Sequence, residues 1–386
     1  MTTNPCIISA FALNPRRIGG TEIYCRELSR QLAELDWTSV LCFEQPPPEN
    51  IRSYLELPNV ILECVPELHK NRFSTARQLM RITRKHRPQI VHFHYTGFLT
   101  PFPWAVRIAG AQQVYLTSHL SPPEGFKPLA AALWKRLAAR TINYPVQGVV
   151  CPSRYGRSWL TSLGLLPDKR FQTIYNGTDL SISKINSVHA QQFRQKYKIP
   201  FDRQIVAQIG TLSNEKGVLD LLAAATRVIK HQPLAHFVFA GDGPLHGTCK
   251  KMAVELGIEG NTTFTGSLQD IYTSGLYEAA DVCCLVSRWN ELFGFVLIEA
   301  MIFERPIVAT RVGGIPEVVV DRQTGFLVER GDVTAMSERI GTLLTNAQLR
   351  RTLGVAGRQR VVEMFDVRKN VAELIEWYRI ANNGNH

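Results

Sequence analysis

Short apolar runs rich in β-branched residues recur along this chain, parted by longer stretches of helical character, and the whole series occurs twice. A strand that is apolar on both faces belongs in a parallel sheet covered on both sides, because a half-wetted sheet would alternate. In the first half the predicted strands are Cys6–Ala12, Ser39–Phe43, Val60–Val65, Ile90–Tyr95, Val114–Ser118, Gly148–Pro152 and Gln172–Tyr175, with helices such as Thr21–Leu35 and Phe73–His86 between them. In the second half they are Ile205–Gly210, His236–Ala240, Thr263–Thr265, Val282–Val286, Ile307–Ala309 and Gly325–Val328. A polar, strand-poor stretch from about Leu180 to Arg203 reads as the linker. The pattern predicts an α/β chain of two doubly wound, parallel-sheet, Rossmann-like domains facing a cleft. The expected domains are residues 1–180 and 181–365, followed by a C-terminal helix over 366–386. In such sheets ligands gather at the carboxyl ends of the strands, so the strand-to-helix loops are where chemistry is sought.

At 386 residues the chain has length enough for two ordinary cores, and 45% hydrophobic with 20% charged residues excludes a disordered class. No apolar run approaches the ~18–20 residues needed to cross a bilayer. The beginning lacks the basic-then-apolar pattern of a secretory signal. The eight cysteines are scattered, mostly in apolar runs, without a C-x-x-C pair, and read as buried thiols of a cytoplasmic protein. The net charge of +11 is uneven. Residues 1–180 hold 21 lysines and arginines against 12 acidic residues, the remainder 23 against 21, leaving nets of +9 and +2. Attraction to anions therefore resides in the first half.

Within the second half, Glu291-Leu-Phe-Gly-Phe-Val-Leu-Ile-Glu299 follows a strand. It reads as a loop carboxylate, a helix starting near Gly294, and a second carboxylate roughly 7–8 Å along that helix. Free N–H groups at the helix start suit a diphosphate, and the two carboxylates suit hydroxyls. Read blandly, one glutamate caps the helix and the other forms a surface ion pair. The apolar run Phe293–Ile298 argues against that, since a glutamate set among such residues is partly buried and needs partners. Lys216, just ahead of a helix beginning near Val218, combines an ammonium with free backbone N–H groups, or is an ordinary solvated loop lysine. Gly241-Asp-Gly-Pro244, Gly266 and Val312-Gly-Gly-Ile-Pro-Glu317 mark further strand-to-helix junctions. In the first half, Gly19-Gly20 precedes a helix, and its spacing does not fit the G-x-G-x-x-G of a dinucleotide redox site. His119 ends a strand, where a cleft residue would stand; a structural histidine is the alternative. His92 and His94 share a strand face, with no third metal ligand evident.

The ordered set Gly19-Gly20-Thr-Glu22, Asn176-Gly177-Thr-Asp179, Glu215-Lys216-Gly217, Gly241-Asp-Gly-Pro244, the double glutamate running into Glu299-Ala-Met301, and Gly313-Gly-Ile-Pro-Glu317 resembles the retaining glycosyltransferases of family 4. The resemblance spans nearly the whole chain and implies the GT-B architecture. It also implies transfer of a sugar from a nucleotide-diphosphate donor, a UDP- or GDP-sugar, with retention. By the family pattern Glu299 binds the donor ribose, Glu291 the hydroxyls of the transferred sugar, and Lys216 the diphosphate. The backbone of Phe293-Gly294-Phe295 and the Gly19-Gly20 loop contact sugar and phosphates. Thr211, Gly241 and Gly266 belong to the same nucleotide-binding set, and His119 matches the active-site histidine. No D-x-D triad occurs, in keeping with a family that needs no metal. The family's C-terminal helix crosses back to the first domain, and Asp366–Ile380 is its counterpart here.

Three positions depart from the pattern. Thr211 stands where many members carry an arginine that pairs with the lysine on the diphosphate, and a hydroxyl forgoes about 1.5–3 kcal/mol of charge-assisted bonding; Arg16 and Arg17 are the candidate replacements. Glu304 replaces a glycine, and Val286 a proline. Lys70, Arg72, Arg77, Arg81, Arg84, Lys85 and Arg87 gather around one helix, with Arg77, Arg81 and Arg84 on one face. Phe126–Arg140 mixes Leu129, Leu133, Trp134 and Leu137 with Lys127, Lys135, Arg136 and Arg140. These stretches are either ordinary surface helices or a reversible contact with an anionic membrane at its inner face. The acceptor is then a glycan, a lipid-linked sugar or a small molecule, and nucleic acid is not the expected partner. The competing readings are a sugar-nucleotide epimerase or hydrolase on the same fold, and a basic membrane- or nucleic-acid-binding protein without turnover.

Overall fold

A computed structural model describes residues 4–70, 72–119, 121, 133–182 and 187–383 of the chain. Its contacts divide the chain into two units, Met1–Asn176 with Val367–His386, and Gly177–Asp366.

The first unit is built on seven strands: β1 (Cys6–Phe11), β2 (Thr38–Phe43), β3 (Val60–Cys64), β4 (Ile90–His94), β5 (Gln113–Thr117), β6 (Val146–Cys151) and β7 (Phe171–Thr173). They lie in the order β3-β2-β1-β4-β5-β6-β7. Every pairing is parallel. The unbroken apolar runs follow from burial on both faces: β1, β4 and β5 are buried at every position. Helix Gly20–Ala33 packs on Glu49–Leu55 and on the C-terminal helix Val367–Asn383, while Phe73–His86 packs on Phe102–Ile108. The C-terminal helix docks through Val371, Leu374, Ile375 and Tyr378, the 3.6-residue spacing of a single buried stripe. Trp377 lies so close over Gly148 of β6 that a Cβ there would overlap its ring.

In the second unit six strands run β8 (Gln204–Ile209), β9 (Ala235–Ala240), β10 (Thr262–Gly266), β11 (Val282–Leu285), β12 (Ile307–Thr310) and β13 (Gly325–Val328). Their order is β10-β9-β8-β11-β12-β13, again all parallel. Each sheet therefore reverses its winding once, between β1 and β4 in the first unit and between β8 and β11 in the second. At such a switch point the loops leaving the two central strands diverge to opposite faces and open a crevice.

The stretch read as a linker is instead part of the second unit. Ser187–Lys196 is a helix packed against Leu276–Ala279. It is anchored by buried Phe193 and by Arg194, whose guanidinium donates to the carbonyls of Pro200 and Arg203. One aromatic side chain supplies its burial, too sparse an apolar signal to stand out in polar surroundings. The boundaries accordingly fall after Asn176 and after Asp366 rather than at 180 and 365. All eight cysteines are free thiols, seven of them buried. Among the described residues no helix is long and apolar enough to cross a membrane.

Candidate active site

Both loops at the second unit's switch point carry charge. After β8 the chain passes through Thr211 to Lys216. There Gly217, at φ +65°, turns it into helix Val218–His231. A Cβ on Gly217 would overlap the Val286 carbonyl, so glycine is needed for both conformation and close approach. After β11 comes the loop with Ser287, Trp289 and Glu291. The Lys216 Nζ lies 2.5 Å from Glu291 Oε1. The same oxygen accepts from Ser287 Oγ at 2.5 Å and Trp289 Nε1 at 2.9 Å. The Lys216 ammonium also sits 5.1 Å from the centre of the Trp289 ring. The loop after β12 completes the frame: Gly314 N–H donates to the Glu291 carbonyl, which a Cβ on Gly313 would overlap. A buried carboxylate is thus gripped by one cation and two neutral donors, the satisfaction that burial demands.

Glu299 lies within helix Phe295–Ile302, which begins beyond Gly294 at φ +93°. It is buried, and both its oxygens accept from tyrosine hydroxyls: Oε1 from Tyr272 at 2.7 Å and Oε2 from Tyr277 at 2.8 Å. Burial, then the Glu299 charge, pushes the Tyr277 hydroxyl well above the ordinary phenol range, so it stays a donor. Each carboxylate oxygen retains a lone pair for a further donor. The Phe293 side chain is buried edge-on against Phe365, which leaves its backbone as the part able to meet a ligand.

Gly210, Gly241 and Gly266, at the ends of β8, β9 and β10, all have positive φ. Gly241 N–H bonds the Gly266 carbonyl, and a Cβ on Gly241 would overlap the Gly210 carbonyl. Packing therefore requires glycine at Gly241, whereas at Gly210 and Gly266 the positive φ alone favours it. Thr211 is exposed. Glu304 holds a left-handed φ of +59°, which explains why glycine suits that position and makes it a turn residue rather than a chemical one.

The first unit repeats the arrangement at its own switch point. Gly19 caps helix Gly20–Ala33, and its N–H donates to the Glu22 carboxylate at 3.0 Å. Burial raises the Glu22 pKa, and the backbone bonds partly oppose it. Thr21 Oγ1 bonds the Tyr95 hydroxyl at 2.8 Å, and the Tyr95 ring stacks on His119 at 3.9 Å. Tyr95, at φ +61°, occupies a conformation uncommon for a bulky residue, a mark of local constraint. The glycine loop and His119 are thereby joined through Tyr95. Burial lowers the His119 pKa to about 3, so the ring is neutral near pH 7. Its Nε2 is shielded and has no hydrogen-bond partner among the described residues. His92 bonds the Tyr378 hydroxyl through Nδ1 and Thr117 Oγ1 through Nε2, so it fastens the C-terminal helix and has no nitrogen left for a metal.

Sequence reasoning missed Tyr95, Tyr272, Tyr277, Ser287 and Trp289. The last two precede Glu291 by a few residues and were findable as local donors. Tyr272 and Tyr277 reach Glu299 across more than twenty residues, and no local pattern links them.

Comparison with known proteins bears on the fold and the family. Residues 189–360 match the family described as Glycosyl transferases group 1, and residues 18–182 match Glycosyltransferase Family 4. The N-acetyl-alpha-D-glucosaminyl L-malate synthase of Bacillus anthracis is 32% identical over 54% of this chain, a match spanning 53% of that protein. The GDP-mannose-dependent alpha-(1-6)-phosphatidylinositol monomannoside mannosyltransferase of Mycolicibacterium smegmatis is 28% identical over 78% of this chain and 79% of its own length. Among solved structures, Anabaena HepE in complex with UDP and glucose superposes with a TM-score of 0.80 at 19% identity, covering 97% of this chain and 99% of that one. The two parallel sheets, the charged loops at their switch points and these matches make the chain a glycosyltransferase of the family 4 type, with the GT-B architecture.

Proposed function

We propose that this chain transfers a sugar from a UDP- or GDP-sugar to an acceptor, with retention of anomeric configuration and without a metal ion. The observation that carries the reading is the Lys216–Glu291 pair at the switch point. In it, a cation suited to a diphosphate stands beside a carboxylate suited to sugar hydroxyls. Glu299, fixed by two tyrosines, is assigned to the ribose diol. Gly19, Gly20 and neutral His119 are assigned to contacts with the donor's phosphates and sugar. Bond cleavage leaves a nucleoside diphosphate and an oxocarbenium-like sugar, and Lys216 offsets the charge that develops on the leaving oxygen. Of the proteins named above, one is GDP-mannose-dependent and another was solved with UDP and glucose, so the nucleobase is the first quantity to test. In a thermal-shift screen of UDP, GDP, ADP and their sugars, one diphosphate should raise the Tm, by mass action on the folded state. No shift with any nucleotide at millimolar concentration would overturn the donor assignment.

We further infer that the acceptor is met at an anionic membrane surface. Lys70 and Arg72 pair with Glu67, and Lys85 with Glu63, so these charges are largely spent locally. Arg77, Arg81 and Arg84 are exposed and have no carboxylate partner among the described residues. The neighbouring helix Phe102–Ile108 presents Ile108, 69% exposed, and Trp104, whose ring stacks with that of Tyr144 at 6.1 Å. Leu137 is 55% exposed and Arg140 is exposed; residues 126–136 of the second basic stretch lie outside the residues whose side chains are described. Exposed tryptophan and tyrosine beside arginines suit a lipid headgroup layer. Cosedimentation at low salt should favour phosphatidylserine vesicles over neutral ones several-fold, and Trp104→Glu should reduce it. Equal binding to both vesicle types would remove the membrane from the reading.

A further inference from the structure

Lys216 and Glu291 sit on separate loops, and their 2.5 Å approach depends on what holds those loops in register. Two features do so. The N–H groups of Arg288 and Trp289 both donate to the Glu215 carbonyl, at 2.7 and 3.4 Å. The Arg288 guanidinium then reaches Asp220, in the first turn of the helix that Lys216 precedes. Its Nε donates to Oδ2 at 2.7 Å and its Nη2 to Oδ1 at 2.6 Å. Asp220 is buried, although it belongs to neither the diphosphate nor the sugar assignment. A buried carboxylate met by a planar fork is held in both distance and orientation, which a single-point contact would not achieve.

We propose that Asp220 and Arg288 are a positioning pair that sets Lys216 against Glu291 for sugar transfer. The inference rests on the transferase reading. Backbone N–H groups of the acidic loop hold the Glu215 carbonyl on one side of Lys216, and the Arg288 fork holds Asp220 on the other. Without it, the acidic loop keeps its residues but loses its register with the lysine. A displacement near 1 Å at reacting groups costs on the order of 100-fold in rate. Ground-state binding of the nucleotide, shared with Glu299 and backbone N–H groups, suffers much less.

The test uses the full chain with UDP-glucose, UDP-N-acetylglucosamine and GDP-mannose, a cell extract as acceptor source, and nucleoside diphosphate release as readout. Asp220→Asn and Arg288→Gln are each expected to lower kcat about 10- to 100-fold. The donor KM and the Kd of the nucleoside diphosphate should stay within about threefold. The double variant should be no worse than the poorer single one, as for two halves of a unit. Arg288→Lys, which keeps the charge and loses the fork, should recover part of the rate. A lowered Tm with kcat unchanged in the folded fraction would reduce the pair to a structural role and overturn the inference. So would losses that multiply in the double variant. Failure of the wild-type chain to release diphosphate from any donor would overturn the transferase reading itself, and this inference with it. Wild-type turnover with unaffected variants would overturn the inference alone.

Discussion

Lys216→Ala is expected to slow sugar transfer by roughly 10²–10³-fold, the usual cost of removing one donor aimed at developing charge. In this chain the loss should stand toward the upper end. Thr211 stands where the family resemblance leads one to expect an arginine, and from Thr211 to Gly217 the loop holds no cation besides Lys216. The variant also leaves the Glu291 carboxylate buried with only Ser287 and Trp289 as donors. Stripping the cation from such a carboxylate costs about 1–3 kcal/mol of stability, because the remaining group stays desolvated. Lys216→Arg separates the two effects. It restores the charge beside Glu291, hence most of the stability, while its planar head alters the placement on phosphate. Steady-state kcat for the three proteins, with Tm measured in parallel, is the check. Turnover of Lys216→Ala within twofold of wild type would remove the lysine from the mechanism.

How far the sequence foretells this site depends on the range over which each contact acts. The central strands were legible to within about two residues, since burial on both faces forces an unbroken apolar run; β3, β7 and β10 are only partly buried. The helix start at Gly294 was legible because a positive φ there admits little but glycine. The two glutamates drew attention because an acidic residue among apolar ones must be buried, and both are. What the sequence hid were partners supplied by folding. The hydroxyls of Tyr272 and Tyr277 and the Asp220–Arg288 fork join residues far apart in the chain, and no period connects them. Helix Ser187–Lys196 was hidden for a different reason. Its burial is concentrated in Phe193, so the amphipathic repeat that reveals most helices is nearly absent.

Glu291→Gln should move the affinities for nucleoside diphosphate and for nucleotide-sugar in opposite directions. The Lys216 ammonium is paired with the Glu291 carboxylate, so a diphosphate competes for a partly neutralised cation. The amide keeps the shape and still accepts from Ser287 Oγ and Trp289 Nε1 through its carbonyl oxygen, so the loop should hold. With the negative charge gone, Lys216 is freer to engage phosphate. UDP or GDP, whichever the protein binds, should bind about three- to tenfold more tightly, on the order of 1 kcal/mol. The intact donor loses the charged acceptor for its sugar hydroxyls, worth about 1.5–3 kcal/mol, which outweighs that gain and should weaken its binding. Turnover should fall about 100-fold, because bonds to those hydroxyls orient the sugar in the transition state. Calorimetric Kd values for nucleotide and nucleotide-sugar, taken on the same preparation, decide the matter. Parallel weakening of both would mean that Glu291 serves only to shape its loop. Divergence would mean that one carboxylate restrains the phosphate-binding cation in the free enzyme and recognises the sugar once the donor arrives.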